Sequence, residues 1–238
     1  MYRQKYYGLY NKKVNLNKRK RPTNDDSDDD EPSSMPNLPI TELLKHINSD
    51  VYMVDNHLYF RTEVSKESID KLNKEIIAYC RNYDILKEMH KGYNIQPKPI
   101  YLHITSDGGD LFAGFYAVDI IQSSPIPIYT VVEGSAVSAA SLMACVGKKR
   151  YMTKNSYILI HQLSSGIVGN FHEIKDNFEN DTTLMDNINK IYIEHSNKKL
   201  NKKMLKDILD HDKYWDYDTC LKYGLVDGLY NPVLEKEE

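Results

Sequence analysis

Two hydrophobic periods alternate along this chain, and each change of period marks an element. Val51–Val54 and His57–Phe60 are short apolar runs either side of the turn pair Asp55-Asn56, and they predict two short strands. Behind Ser68, the spacing of Ile69, Leu72, Ile76, Ile77 and Cys80 predicts a helix with one buried face; polar Arg81–Pro99 predicts its end and a loop back. Ile100, Leu102 and Ile104 open a strand that runs into Thr105–Asp110, and an almost wholly apolar helix follows over Leu111–Ile121. Ile126–Val132, rich in β-branched residues, predicts a buried strand, the Gly134–Ser138 segment a turn, and Ala139–Cys145 a helix of small residues. A third strand, Tyr157–Ile160, ends at His161. Repeated strand–turn–helix units imply an α/β fold with a parallel sheet covered on both faces.

The flanks read differently. Ile174, Phe178, Leu184, Met185, Ile188, Ile191 and Tyr192 stripe a long helix ending near His195, an arm whose stripe would lie against another subunit or an adjoining domain. Ser196 breaks it before a basic helix with Leu200, Met204, Leu205, Ile208 and Leu209; a helical turn over Tyr217–Tyr223 and a strand from Leu225 complete the pattern. Upstream, Thr41 can cap a short helix over Glu42–Ile47. Residues 1–39 hold a basic run, Lys18-Arg19-Lys20-Arg21, then an acidic block from Asp25 to Glu31, with no apolar periodicity; such a segment is expected to be a disordered tail. The expected organisation is that tail, one folded domain over 40–232, and a tail over 233–238.

Charge and cysteine content narrow the class. The 31 basic and 34 acidic residues of the 238 nearly cancel, which does not favour nucleic acid or a membrane surface as partner. Cys80, Cys145 and Cys220 are odd in number and widely spaced, which suits a reducing intracellular compartment such as the cytoplasm and matches no metal-ligand spacing. No apolar run is long enough to span a bilayer or to form a signal peptide.

The candidate chemistry gathers at strand ends, the edge where open α/β sheets bind ligands. Gly108-Gly109 permits positive φ and close backbone approach to a ligand. Ser138 falls at a strand-to-helix turn, where free N–H groups and the dipole favour an anion, and that suits a nucleophile whose product is an oxyanion. His161 ends the next strand. No local feature singles out one aspartate from the charge-rich segment around Asp210-His211-Asp212.

Four segments together resemble the Clp protease proteolytic subunit (ClpP) family. They are Thr105-Ser106-Asp107-Gly108-Gly109, Gly134-Ser135-Ala136-Val137-Ser138-Ala139, Ile160-His161-Gln162 and Tyr223-Gly224-Leu225-Val226-Asp227. They stand in the family's order and near its spacing, and the resemblance covers roughly Tyr52 to Leu229. It implies the ClpP/crotonase fold, a spiral of ββα repeats with a protruding handle helix. It implies a serine endopeptidase acting on unfolded proteins inside two stacked heptameric rings, fed by an ATP-driven AAA+ unfoldase, with no cofactor or metal in this chain. Position by position, Ser138 matches the nucleophile, His161 the general base and Asp212 the carboxylate that orients it. Gly109 and Ala139 match the donors of the oxyanion hole.

Departures accompany the match. Asp107 and Leu163 stand where the family has prolines, Ala139-Ala140 replace a common Met-Gly, and His211 takes the place of an arginine. The family's axial-loop sequence is absent upstream of Tyr52. The altered N-terminal segment and His211 motivate a second reading, a catalytically silent ring subunit serving as scaffold. A third is a crotonase-like acyl-CoA enzyme, which shares the fold and the paired N–H oxyanion hole but needs no serine–histidine pair. A membrane signal-peptide peptidase of related fold would need an anchor and a Ser–Lys dyad.

Overall fold

The structure is a computed structural model, and it describes residues 49–93 and 95–231. The tail over residues 1–39, the Glu42–Ile47 helix and the tail over 233–238 therefore lie outside the described residues. Among the described residues, eight strands, β1 (Val51–Val54), β2 (His57–Phe60), β3 (Ile100–Ser106), β4 (Ile128–Val137), β5 (Lys149–Met152), β6 (Tyr157–Leu159), β7 (Tyr214–Trp215) and β8 (Gly228–Leu229), join in one sheet. The helices are α1 (Lys66–Met89), α2 (Leu111–Ser123), α3 (Ala139–Cys145), α4 (Phe171–His195), α5 (Lys202–Leu209) and α6 (Tyr217–Tyr223). The fold class is the expected α/β one, consistent with the ClpP fold.

β4 is the axis of the sheet because it changes partners part-way along. Its first half, Tyr129–Val132, pairs in parallel with β3 on one side and β5 on the other. Its second half, Ser135–Val137, pairs instead with β6, and the register against β3 slips between Ile104 and Ser106. The Gly134–Ser138 segment expected to be a turn is thus largely strand; its small residues fit the strand that meets β6. β5, with two charged residues in four, was not apparent in the apolar pattern. It forms because the open edge of β4 needs backbone partners.

The core is continuous from Val51, Leu58 and Phe60 through Leu102, Ile104, Leu142, Met143 and Met152 to Ile188, Tyr192, Leu205 and Leu209. The α4 stripe divides: Ile188, Ile191 and Tyr192 are buried, whereas Phe171, Ile174 and Phe178 are exposed. Arg150, buried at 4% exposure, stitches the base of α4 to the sheet. Its Nε donates to Asp227 Oδ2 at 2.9 Å, its Nη2 to Asp227 Oδ1, and its Nη1 to the carbonyls of His195 and Gly224.

Three boundaries move from their expected positions. Ser65, not Ser68, caps α1; Ser68 occupies the third helical position and reaches back to the Ser65 N–H at 2.9 Å, a reciprocal capping box. α1 also runs on through Arg81–Met89, where Leu, Lys and Glu favour helix and no Gly or Pro interrupts before Gly92. Leu225 does not begin a strand: with Gly224 it closes α6, its N–H donating to the Cys220 carbonyl at 2.9 Å, and β8 forms three residues later.

Candidate active site

The end of β4 and the start of α3 place Ser138 in a conformation that few non-glycine residues adopt, with φ 56° and ψ −124°. The residue is held at both ends. Its N–H donates to the Leu159 carbonyl at the tip of β6, at 3.0 Å, and its carbonyl accepts from the Ser141 N–H at 2.9 Å. This sharp strand-to-helix passage puts Ser138 on the wall of a cavity of about 170 Å³. Gly109, Ala139 and His161 line the same cavity. Leu111, Leu142, Leu163, Ile188 and Tyr192 make most of its remaining wall, with Gln162 and Ser164 adding polar groups beside the histidine.

Gly108 and Gly109 are required beside Ser138, with φ 92° and 146°. A Cβ on Gly108 would lie 2.7 Å from Ser138 Cβ, and one on Gly109 would lie 2.2 Å from the Val64 carbonyl oxygen. The loop is clamped to Val64 from both sides: the Val64 N–H donates to Gly108 O at 2.7 Å, and the Asp110 N–H donates to Val64 O at 2.8 Å. Asp110 then caps α2 by accepting from the Ala113 N–H at 2.7 Å. Among the described residues, no carbonyl accepts from the Gly109 or Ala139 N–H. Two backbone donors therefore stand free on the walls of the cavity that holds Ser138.

Of the five residues anticipated from the chain, the structure gathers four on one cavity: Ser138, His161, Gly109 and Ala139. Asp212 is not among the lining residues and is exposed, in the link between α5 and β7. No hydrogen bond joins Ser138, His161 and Asp212 to one another. The strands still bear on the question. β6 and β7 run antiparallel, with Ile158 opposite Trp215 and Leu159 opposite Tyr214. Two more steps in that register bring His161 opposite Asp212, although the ladder itself stops at Leu159.

Ser141 and Tyr192 are two residues at the site that the sequence did not single out. Ser141 lies within the helix of small residues over Ala139–Cys145, and Tyr192 belongs to a stripe read only as an apolar face. A buried hydroxyl on each was the available signal. A second polar group lies away from the cavity, on β2, β3 and β4. His57 Nδ1 is 2.9 Å from His103 Nε2, and His103 Nδ1 is 2.9 Å from Glu133 Oε1. The hydrogen bond from His103 holds the Glu133 carboxyl below its ordinary range, against the opposing effect of burial and with help from Arg61. Among the described residues, no group of three or more His, Cys, Asp or Glu side chains is placed to hold a metal ion. Nor is any described helix long and apolar enough to cross a membrane.

Comparison with known proteins bears on this geometry. A sequence model of the Clp protease family matches residues 62–232, most of the chain. The chain belongs to the Clp protease family. Among curated relatives, the ATP-dependent Clp protease proteolytic subunit 2 of Treponema denticola is 38% identical over 131 residues. That alignment covers 54% of this Clp protease chain and 64% of the relative, so the chain spans less than two thirds of that relative's length. The matched residues 62–232 take in all four motifs and every residue of the cavity.

Proposed function

We propose that this Clp protease chain is a serine endopeptidase with Ser138 as nucleophile, His161 as general base and Asp212 as the carboxylate that orients the imidazole. The observation that carries the reading is the convergence of Ser138, His161 and two unpaired backbone N–H groups on one cavity. His161 takes the Ser138 hydroxyl proton as Oγ attacks the peptide carbonyl carbon, and the new oxyanion accepts from the Gly109 and Ala139 N–H groups. The C–N bond then breaks, His161 gives the proton to the departing amine, and an acyl-serine remains. Water, deprotonated by His161, attacks the acyl carbon; the acyl C–O bond to Ser138 breaks, His161 returns the proton to Oγ, and the second product leaves. Asp212 favours the tautomer that can accept the serine proton and steadies the imidazolium. The β6–β7 register, which if continued sets His161 opposite Asp212, supports that role; catalytic hydrogen bonds are often long before substrate binds.

The exposed Phe171, Ile174 and Phe178 on α4 support self-association through that helix. Rings around a chamber, protein substrates and an ATP-driven unfoldase belong to the same proposal and follow from the family. The test is labelling with a fluorophosphonate followed by peptide mapping, with Ser138→Ala as the blank. An adduct on Ser138 is expected. An assembled wild-type protein that takes no label would instead support the silent ring subunit.

A further inference from the structure

The strained backbone of Ser138 persists only because its surroundings hold it. Its carbonyl accepts twice from Ser141, once from the N–H and once from Oγ at 2.5 Å. Ser141 Oγ also lies 2.7 Å from the Tyr192 hydroxyl. The Ser141 hydroxyl has one proton, and the Ser138 carbonyl, an acceptor only, takes it. The contact to Tyr192 must then run the other way, with the phenol donating to Ser141 Oγ. Both side chains are buried, Ser141 at 1% and Tyr192 at 2% exposure. The phenol stays protonated across the working range because burial pushes its pKa far up.

We propose that Tyr192 and Ser141 are positioning residues, a hydrogen-bond chain from α4 through α3 that holds the Ser138 carbonyl and so keeps the nucleophile in its strained, cavity-facing conformation. The inference rests on the serine-peptidase reading above. Two features separate it from simple packing. The chain ends on the backbone of the residue proposed to react, and its direction is set by proton count, so removing the first donor loosens the second. Tyr192 also lines the cavity, but its hydroxyl reaches the Ser138 carbonyl through Ser141.

The experiment uses the full-length assembled protein as wild type, Tyr192→Phe, Ser141→Ala, Ser141→Cys and the Tyr192→Phe/Ser141→Ala double variant. For each, kcat and KM are measured on a fluorogenic peptide, with the second-order rate of fluorophosphonate labelling and the melting temperature. Each of Tyr192→Phe and Ser141→Ala is expected to lower kcat and the labelling rate about tenfold with KM within twofold, and Ser141→Cys, with its weak donor, to fall between. The double variant is expected to be no slower than the slower single one, because both changes break one chain. Tyr192→Phe keeps the ring and so tests the idea even if Ser141→Ala does not fold. A wild-type kcat in Tyr192→Phe, with only the melting temperature lowered, would reduce the pair to packing and overturn the proposal. So would losses that multiply in the double variant. Wild type that takes no label sinks the peptidase reading as well; wild type that labels beside unchanged variants sinks this inference alone.

Discussion

Gly109→Ala is the sharpest probe of the proposed oxyanion hole, because the structure gives both its steric and its catalytic effect. The new Cβ would stand 2.2 Å from the Val64 carbonyl oxygen, where an ordinary contact needs about 3.3 Å, so one backbone must move by about 1 Å. Val64 is held by hydrogen bonds to Gly108 and from Asp110, at 2.7 and 2.8 Å, so relief comes by breaking that bridge and displacing the Gly109 N–H. Two backbone bonds at about 1 kcal/mol each, with about 1 kcal/mol for a non-glycine residue at φ 146°, give a stability loss of about 3 kcal/mol. At 2–4 °C per kcal/mol for a domain of this size, the melting temperature should fall by roughly 6–12 °C. Losing one oxyanion donor should separately lower kcat by about 100- to 1000-fold, or about 3–4 kcal/mol. Both quantities come from one preparation, by circular-dichroism melting and steady-state hydrolysis of a peptide at 25 °C. Gly92→Ala is the control: it too has positive φ, at 115°, but nothing lies within 4 Å of the added methyl, and its kcat should match wild type. A Gly109→Ala protein that melts early yet keeps kcat within threefold of wild type would show that the Gly109 N–H stabilises no transition state.

Arg150→Ala should cost about 3 kcal/mol in urea unfolding, since it strips Asp227 of its cation and leaves the His195 and Gly224 carbonyls without that donor. Burial raises the Asp227 pKa, but hydrogen bonds from Arg150 and Asn197 and the Arg150 charge outweigh it and leave the group below the usual carboxylate range. A depressed carboxyl stabilises the fold above its unfolded-state pKa and loses that contribution as pH falls toward the folded value. Urea midpoints followed downward from pH 7 should therefore drop more steeply in wild type than in Asp227→Asn; equal slopes would refute the linkage. Burial pushes the Cys145 and Cys220 thiols up to about 12, while half-buried Cys80 is raised less far, so native protein at pH 8 should react with iodoacetamide at Cys80 first. Mass spectrometry of tryptic peptides reads the order, and early loss of free Cys145 would contradict the burial.

The chain's own order of residues determined most of the element types, the Gly-Gly loop, the position of Ser138 at a strand-to-helix passage and the family. Each depends on neighbours close in sequence: side-chain periodicity, glycine at positive φ, and motifs of five or six residues. Tertiary structure alone decided what those residues meet. β5 exists because β4 has an edge to pair, and Ser135–Val137 is extended because β6 lies beside it; neither partner is nearby in the chain. Asp212 shows no local mark, and its relation to His161 comes only through the register of β6 with β7. The Tyr192–Ser141 contact spans 51 residues and was hidden in a stripe that looked purely apolar, because a phenol is indistinguishable from core packing until its hydroxyl has a partner.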